Sequence, residues 1–193
     1  MARGSKSKYA VLGILTIEPS SVYDLKKFTE NNLSHFWSES YGNLYTLLKR
    51  LLEQKLVTKR TQRQKGKPDR IVYSITKKGQ EEFEQWLAQP SEQESLRSEL
   101  LLKLFFGHRL PRERVVAQLL AYRGQQQGLD TALAGVERSL DEQRGDPNFP
   151  YWLMTLRRGR LVCQARLRWV DESLALLDNV SPRGSKRESD AEL

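Results

Sequence analysis

The sequence is poor in the residues that most catalytic and metal-binding sites require. Its 193 residues include one cysteine, Cys163, and two histidines, His35 and His108, which lie far apart in the chain. A single cysteine excludes an internal disulfide and a cysteine-based metal site, and it favours a cytoplasmic setting. The sequence contains no Gly-rich phosphate loop, HExxH or GxSxG motif. We therefore expect no catalysis, no cofactor and no metal.

Long hydrophobic runs are absent as well. No stretch approaches the roughly 18 apolar residues that a membrane-spanning helix needs. Residues 1–8 are basic and precede a short apolar run at residues 9–17, but the run lacks a small-residue cleavage site. We interpret this run as a buried helix and not as a signal peptide, and we expect no association with a membrane.

Positive charge is concentrated in one part of the chain. The 32 Lys and Arg residues exceed the 24 Asp and Glu residues by eight, which gives a formal net charge of +8. Residues 40–78 contain 11 of the basic and 2 of the acidic residues, so this stretch has a net charge of +9. A localised basic field is typical of proteins that displace counterions from nucleic-acid phosphates. A solubilising surface is the alternative when charge alone is considered.

The first 90 residues have the pattern of a winged helix-turn-helix. Helical spacing of apolar residues and strand-like alternation predict four helices and two strands. Cap candidates are Ser20 or Ser21, Ser38 or Ser40, and Thr76. The turn at residues 63–70 is rich in Gly, Pro and positive charge, which predicts a hairpin with a cationic tip. The predicted helices are residues 9–16, 22–31, 41–54 and 77–88, the last with Phe83, Trp86 and Leu87 inward, and the strands are residues 56–62 and 71–75.

The third predicted helix has the polar side that entry into a DNA major groove requires. Leucines form its apolar side, and the first half of the other side is small and polar. Gly42 allows close approach of the backbone, and Asn43 can pair with adenine, whereas the cations suit phosphates. For Tyr45, packing against the second helix is the alternative. The predicted DNA-binding residues are Ser40, Tyr41, Gly42, Asn43, Tyr45, Thr46, Lys49, Arg50, Arg63, Lys65, Lys67 and Arg70.

Residues 91–180 are predicted to form an all-helical domain, followed by a disordered polar tail at residues 181–193. A short apolar helix at residues 96–106 precedes long helices at 111–143 and 151–177, where apolar residues alternate at spacings of four and three. Because one neighbour cannot cover so much apolar surface, we expect a homodimer, with an intramolecular helical hairpin as the alternative. The predicted dimerisation residues are Leu153, Leu156, Cys163, Leu167, Val170, Leu174 and Leu177.

Tryptophan side chains are candidates for an effector site. We predict that Trp37, Trp152 and Trp169, with Phe36 beside the first of them, contact a flat aromatic small molecule. The alternative is a role in the hydrophobic core, because aromatic residues at helical spacing are more often buried there.

Three segments of the chain resemble the PadR family of bacterial winged-helix regulators. They are YAVLGILTIEPSSVYDLKK (residues 9–27), FWSESYGNLYTLLKRLLEQKLV (36–57) and VYSITKKGQEEFEQWL (72–87). The patterns G-x-[IL]-Y-x-x-L-x-R-L at residues 42–51 and Y-x-[IL]-T-x-x-G at 73–79 are specific when they occur together. The C-terminal region is similar to the longer PadR subfamily. One departure is Ser-Val-Tyr at residues 21–23, where the family often has His-Gly-Tyr.

The resemblance implies a mainly α-helical (α+β) fold, with an N-terminal winged helix-turn-helix, a two-stranded wing and an all-α dimerisation domain. It implies a homodimer that binds a pseudo-palindromic operator in double-stranded DNA, usually to repress transcription. It also implies that a small molecule or another signal releases the dimer from the operator. A second hypothesis from a different functional class is a winged-helix protein-interaction module whose basic surface binds an acidic protein.

Overall fold

The chain forms two compact units, which are described separately. The computed structural model describes residues 6–63, 69–94 and 97–179. The first unit is Met1–Glu94 and the second is Ser95–Leu193. The tail predicted at residues 181–193 lies outside the described residues. Among the helices of the described ranges, none is long and apolar enough to cross a membrane.

The first unit has the predicted order of helices and strands. Its two strands pair antiparallel, with Val57 opposite Ile75. Ser20 and Tyr73 also form an isolated bridge, exchanging backbone hydrogen bonds of 3.0 and 2.9 Å. The predicted two-stranded wing is confirmed. The bridge also pairs the single residue Ser20 with β2. The elements are α1 (Ser7–Ile17), α2 (Val22–Phe28), α3 (Tyr41–Glu53), β1 (Val57–Gln62), β2 (Arg70–Ile75) and α4 (Lys77–Leu87).

Side-chain caps determine where the last three helices of this unit begin. At α2, Ser21 Oγ accepts a hydrogen bond from the Asp24 backbone N–H, and the Asp24 carboxylate accepts one from the Ser21 N–H. Ser40 and Thr76 accept in the same way from backbone N–H groups three residues further on, at 3.2 and 3.1 Å. Each cap satisfies an N–H that the first helical turn leaves unpaired. The second serine of each predicted pair is therefore the cap.

The end of α2 differs from the prediction of a helix to residue 31. The α-helical part stops at Phe28, and a wider π-helical turn continues over Thr29–Leu33. Thr29 is buried, and its Oγ1 donates a hydrogen bond of 2.8 Å to the Leu25 carbonyl. Because this turn leads into the loop before α3, it determines where that loop begins.

The core of the first unit is built mainly from aliphatic side chains of α1, α2, α3 and the base of the wing. Phe83 of α4 packs against it, and Trp86 stacks on Tyr9 with ring centroids 4.4 Å apart. The prediction that Leu87 points inward is wrong, because its side chain is 59% exposed. Leu87 lies about 100° around the helix from Trp86 and therefore faces away from α1. The buried cluster consists of Val11, Leu12, Ile14, Leu15, Val22, Leu25, Leu44, Leu47, Leu48, Leu51, Leu56, Val57 and Tyr73.

In the described part of the second unit, all regular secondary structure is helical. Its two long helices run antiparallel, because an ion pair joins Arg112 at the start of α6 to Asp178 near the end of α7. A second ion pair joins Arg123 to Asp171. The elements are α5 (Glu99–Phe105), a 3-10 turn (Gly107–Arg109), α6 (Arg112–Leu140), a second 3-10 turn (Asp141–Gln143) and α7 (Phe149–Asn179).

Two apolar clusters hold α6 against α7. Between them, the buried Gln126 accepts a hydrogen bond of 3.2 Å from Arg166. Alongside the cluster that contains Leu156 and Cys163, Arg160 forms ion pairs with Asp130 and Glu137. These specific pairings favour one register of the hairpin over alternatives in which a buried polar group lacks a partner. The turn cluster, near the connection, is Leu133, Leu140, Leu156 and Cys163, and the end cluster is Val115, Leu119 and Val170.

Candidate DNA-binding surface

α3 presents the DNA-binding residues predicted on it along one exposed side. A Cβ placed on Gly42 would meet no atom within 4 Å, so the backbone there is open to an approaching duplex. Tyr45 is 60% exposed, which leaves most of its ring available for contact. The opposite side carries the buried leucines of the core. The exposed residues are Ser40, Tyr41, Gly42, Asn43, Tyr45, Thr46, Lys49 and Arg50.

Two hydroxyl groups of the predicted set form hydrogen bonds within this helix and its cap. Ser40 Oγ accepts the Asn43 backbone N–H at 3.2 Å, and Thr46 Oγ1 donates to the Gly42 carbonyl at 3.0 Å. Ser40 therefore fixes the start of α3. The Thr46 oxygen keeps its capacity to accept a hydrogen bond from a base or from water.

A buried carboxylate lies directly before the first turn of α3. Glu39 is 7% exposed, and its Oε1 accepts a hydrogen bond of 3.0 Å from the Trp37 indole Nε1. Its Oε2 accepts a hydrogen bond from the side-chain amide of Asn43. The sequence patterns do not single out Glu39, because an acidic residue between two serines is typical of a solvated loop.

Lys26 joins α2 to this loop. Its Nζ donates a hydrogen bond of 2.7 Å to the Glu39 backbone carbonyl and forms an ion pair of 3.0 Å with Glu30. The same Nζ lies 5.9 Å from the centroid of the Tyr41 ring, at the outer limit of a cation–π interaction. The cation therefore braces the entry to α3 and contributes positive charge beside it.

The wing adds exposed cations that follow α3 in the chain. Lys59, Arg60 and Arg63 are exposed, whereas the predicted contacts Lys65 and Lys67 lie outside the described residues. Lys59 and Arg60 are not among the predicted contacts, and alternation along a strand would normally turn one of two neighbours inward. In β1, only the first residue is buried. The sequence signal that indicates Lys59 and Arg60 as further candidate contacts is their place in the basic stretch at residues 40–78.

Arg70, one of the predicted DNA contacts, has an intramolecular partner. Its guanidinium forms an ion pair with Asp24, the carboxylate that also caps α2 at Ser21. A cation paired in this way fastens the base of β2 to the start of α2. A phosphate would have to compete with this carboxylate for the Arg70 guanidinium, and the DNA contact of Arg70 stays a prediction.

The predicted dimerisation row is partly internal to the protomer. Leu156, Cys163 and Val170 are each at most 3% exposed, because α6 of the same chain covers them. For these three, the prediction of an intersubunit role is wrong, and the hairpin alternative describes them. Burial also raises the pKa of the Cys163 thiol, which favours its neutral, apolar form. Four members are half-buried and stay predictions: Leu153, Leu167, Leu174 and Leu177.

The tryptophans predicted to share an effector pocket belong to separate parts of the core. Trp152 packs against the turn cluster, and Trp169 packs against the end cluster, edge-on to Tyr122. They are 17 residues apart on α7, which corresponds to about 25 Å along the helix. The two therefore cannot line one pocket within a protomer, whereas an effector contact by any single one of the predicted tryptophans stays a prediction. The Trp37 indole N–H is occupied by Glu39.

Two family models match consecutive segments of the chain. The model described as "Transcriptional regulator PadR-like family" matches residues 11–85, which include α3 and the wing. The model described as "Virulence activator alpha C-term" matches residues 96–178. The chain belongs to the PadR-like family of transcriptional regulators. The resemblance predicted from the sequence motifs is confirmed, and so is the mainly helical winged fold.

Similar proteins cover nearly the whole of this PadR-like chain. The negative transcriptional regulator PadR of Bacillus subtilis (strain 168) is 27% identical over 181 residues, covering 89% of this chain and 97% of that protein. A crystal structure of Bacillus subtilis PadR in complex with operator DNA has a TM-score of 0.79 at 27% identity, with 89% and 98% coverage. Its complex with p-coumaric acid has a TM-score of 0.74 at 25% identity, again with 89% and 98% coverage. The Vibrio cholerae virulence activator AphA has a TM-score of 0.70 at 28% identity, with 89% and 97% coverage.

These relatives are transcriptional regulators, in agreement with the function predicted for this chain. Within the described ranges, no three His, Cys, Asp or Glu side chains are grouped so that they could hold a metal ion. The exposed sides of α3 and β1 form a candidate binding surface.

Proposed function

We propose that this PadR-like chain represses transcription by binding a pseudo-palindromic operator as a homodimer, with α3 in the major groove. The observation that carries the proposal is the exposed polar and basic side of α3, followed directly by the exposed cations of β1. The leucine-packed back of α3 holds the helix rigidly in the unit, so its outer side chains can be presented in a fixed geometry. The protein would act on DNA in the cytoplasm, by binding and not by catalysis.

The exposed residues divide into two roles. Asn43 reads a base edge, because its amide combines a donor and an acceptor near the N-terminus of α3. Lys49 and Arg50 follow one to two turns later and neutralise phosphates, together with Lys59 and Arg60 of the wing. Phosphate contacts supply affinity for any duplex, whereas the contact from Asn43 supplies discrimination between sequences.

The experiment that tests operator binding is a gel shift with the DNA upstream of the protein's own gene, in the presence of excess nonspecific competitor. Specific binding survives the competitor, and its affinity falls linearly with salt on logarithmic axes. A protein-interaction module gives no complex of this kind. Failure to retard any genomic fragment at low salt would rule out the proposal.

An Arg50→Ala variant should bind the operator with a shallower dependence on salt. Removal of one phosphate contact is expected to lower the slope of log affinity against log salt by about 0.9. The matched control is Arg168→Ala, which removes another exposed arginine, from α7 in the second unit. Equal slopes for the two variants would exclude Arg50 from the phosphate contacts.

The dimer in this proposal uses α5, since much of the predicted row on α7 is internal. Within this helix only Leu104 packs against the end cluster. Around it, five large apolar side chains remain exposed, which marks an interaction surface and not a random scatter of apolar groups. We define the α5 patch as Leu101, Leu102, Phe105, Phe106 and Leu110.

We also propose that a small aromatic acid releases the protein from its operator. The support is the structural similarity to Bacillus subtilis PadR in complex with p-coumaric acid. Adding p-coumaric acid to the preformed operator complex should then dissociate it in a gel shift. Cyclohexanecarboxylic acid, which has the carboxylate but no aromatic ring, serves as the control. Equal release by both acids, or by neither, would contradict an aromatic effector.

A further inference from the structure

We infer that Glu39 determines base specificity by fixing which way the Asn43 side-chain amide faces the DNA. The inference rests on the proposed function, because it concerns how α3 reads an operator. Glu39 is a positioning residue in this scheme, since it acts through Asn43 and does not itself contact a base.

The hydrogen bonds of Glu39 leave one orientation for the amide. An ionised carboxylate only accepts hydrogen bonds. One of its oxygens is occupied by the Trp37 indole N–H at 3.0 Å, and the other receives the Asn43 Nδ2. Rotating the Asn43 amide by half a turn would bring its oxygen against the carboxylate, where two acceptors repel each other. The amide nitrogen therefore stays directed towards Glu39.

This orientation determines what Asn43 offers to DNA. With one N–H directed to Glu39, the amide keeps one N–H donor and the Oδ1 acceptor, which makes no hydrogen bond among the described residues. Adenine presents a matching acceptor and donor, N7 and N6–H, in the major groove. Guanine presents two acceptors there, O6 and N7, and would need two donors. A fixed amide therefore favours adenine over guanine.

A role for Glu39 as a loop brace alone does not account for the carboxylate. The brace is provided by the Trp37 indole and by Lys26, which binds the Glu39 backbone carbonyl and not its side chain. A neutral glutamine of the same size would accept from the indole equally well. What the carboxylate adds is a second acceptor, and that acceptor is directed to Asn43.

Glu39→Gln should therefore shift base preference while the fold is kept. The glutamine oxygen has to face the Trp37 indole N–H, so its NH2 group faces Asn43 and turns the Asn43 amide round. Asn43 then presents two N–H donors outward, as guanine requires. Binding sites would be selected from a random duplex pool with wild type and variant. At one position of each half-site, the preference for adenine over guanine should fall by about tenfold or more.

Three further variants separate this effect from general damage. In an Asn43→Ala background, Glu39→Gln should change base preference no further, because the residue that transmits the effect is gone. Trp37→Phe combined with Glu39→Gln should restore part of the adenine preference, because the glutamine oxygen is then free to face Asn43. Glu39→Ala should flatten the preference without reversing it. Thermal melting of each variant checks the fold.

The outcomes distinguish the inference from the proposed function. If wild type selects no sequence from the pool, operator binding itself fails. If wild type selects a site and the folded Glu39→Gln variant selects the same site with the same base preference, Glu39 does not position Asn43. An equal change in the presence and absence of Asn43 would also overturn the inference.

Discussion

A Gly79→Ala variant should unfold at least about 10 °C below the wild-type chain, because the substitution costs about 3 kcal/mol in a unit of this size. Gly79 lies in the first turn of α4, and a Cβ there would be 2.2 Å from the Leu56 carbonyl oxygen. The same oxygen accepts hydrogen bonds from the Thr76 N–H and hydroxyl, at 3.0 and 3.1 Å. The backbone at Leu56 therefore cannot retreat without losing the bonds that join α4 to the wing.

Gly42→Ala is the matched control for that measurement. It makes the same substitution in the same unit, at a helix position where a Cβ meets no atom within 4 Å. Alanine has a higher helix propensity than glycine, so this variant should melt at the wild-type temperature or slightly above it. Circular dichroism of the full chain would measure both transitions. A Gly79→Ala variant that melts within two or three degrees of Gly42→Ala would contradict the close approach of position 79 to the Leu56 carbonyl oxygen.

The helices and strands were predictable because they depend on residues that lie close together in the sequence. Spacing of apolar residues identified the buried side of α3, and the serine and threonine caps identified where α2, α3 and α4 begin, because a cap and its N–H lie three residues apart. Ser20 is different, since its bridge to Tyr73 depends on a contact between distant segments. The residues around Ser20 have no alternation of apolar and polar side chains that would indicate such a bridge.

Which surface covers an apolar row was not predictable from the row itself. Spacings of four and three on α7 show that the helix has an apolar side, but they are equally compatible with a partner subunit and with α6. In this chain α6 covers Leu156, Cys163 and Val170. The α5 patch proposed as the dimer surface was not predictable in this way, because α5 is too short for its periodicity to indicate a buried side.

The charged residues of the candidate site were also only partly predictable from the sequence. The net charge of residues 40–78 indicated the basic surface, because this charge is counted from the sequence and does not depend on which residues are in contact. The roles of Arg70 and Glu39 depend on partners, and the partner of Arg70 is Asp24, far away in the sequence. Glu39 becomes a positioning residue only when Trp37 and Asn43 occupy its two oxygens.

A Phe105→Asp variant should convert the proposed dimer into a monomer. Phe105 is 80% exposed at the end of α5, and its ring packs edge-on against Phe106 at 5.1 Å between centroids. An aromatic pair left open to water in this way is typical of the buried centre of an interface, where truncation of one residue costs about 2 kcal/mol or more. A carboxylate would have to be desolvated there without a partner, which adds to that cost.

Operator affinity should fall together with dimerisation. Two linked winged units bind paired half-sites with an avidity about 100-fold or more above that of one unit, so a monomeric variant should lose at least that factor. Analytical ultracentrifugation measures the first effect, and a gel shift measures the second. Leu87→Asp is the control, since Leu87 is a 59% exposed apolar residue of the first unit. If Phe105→Asp sediments as wild type does, the α5 patch is not the dimer interface. If the variant is a monomer and still binds the operator at wild-type affinity, recognition needs only one α3.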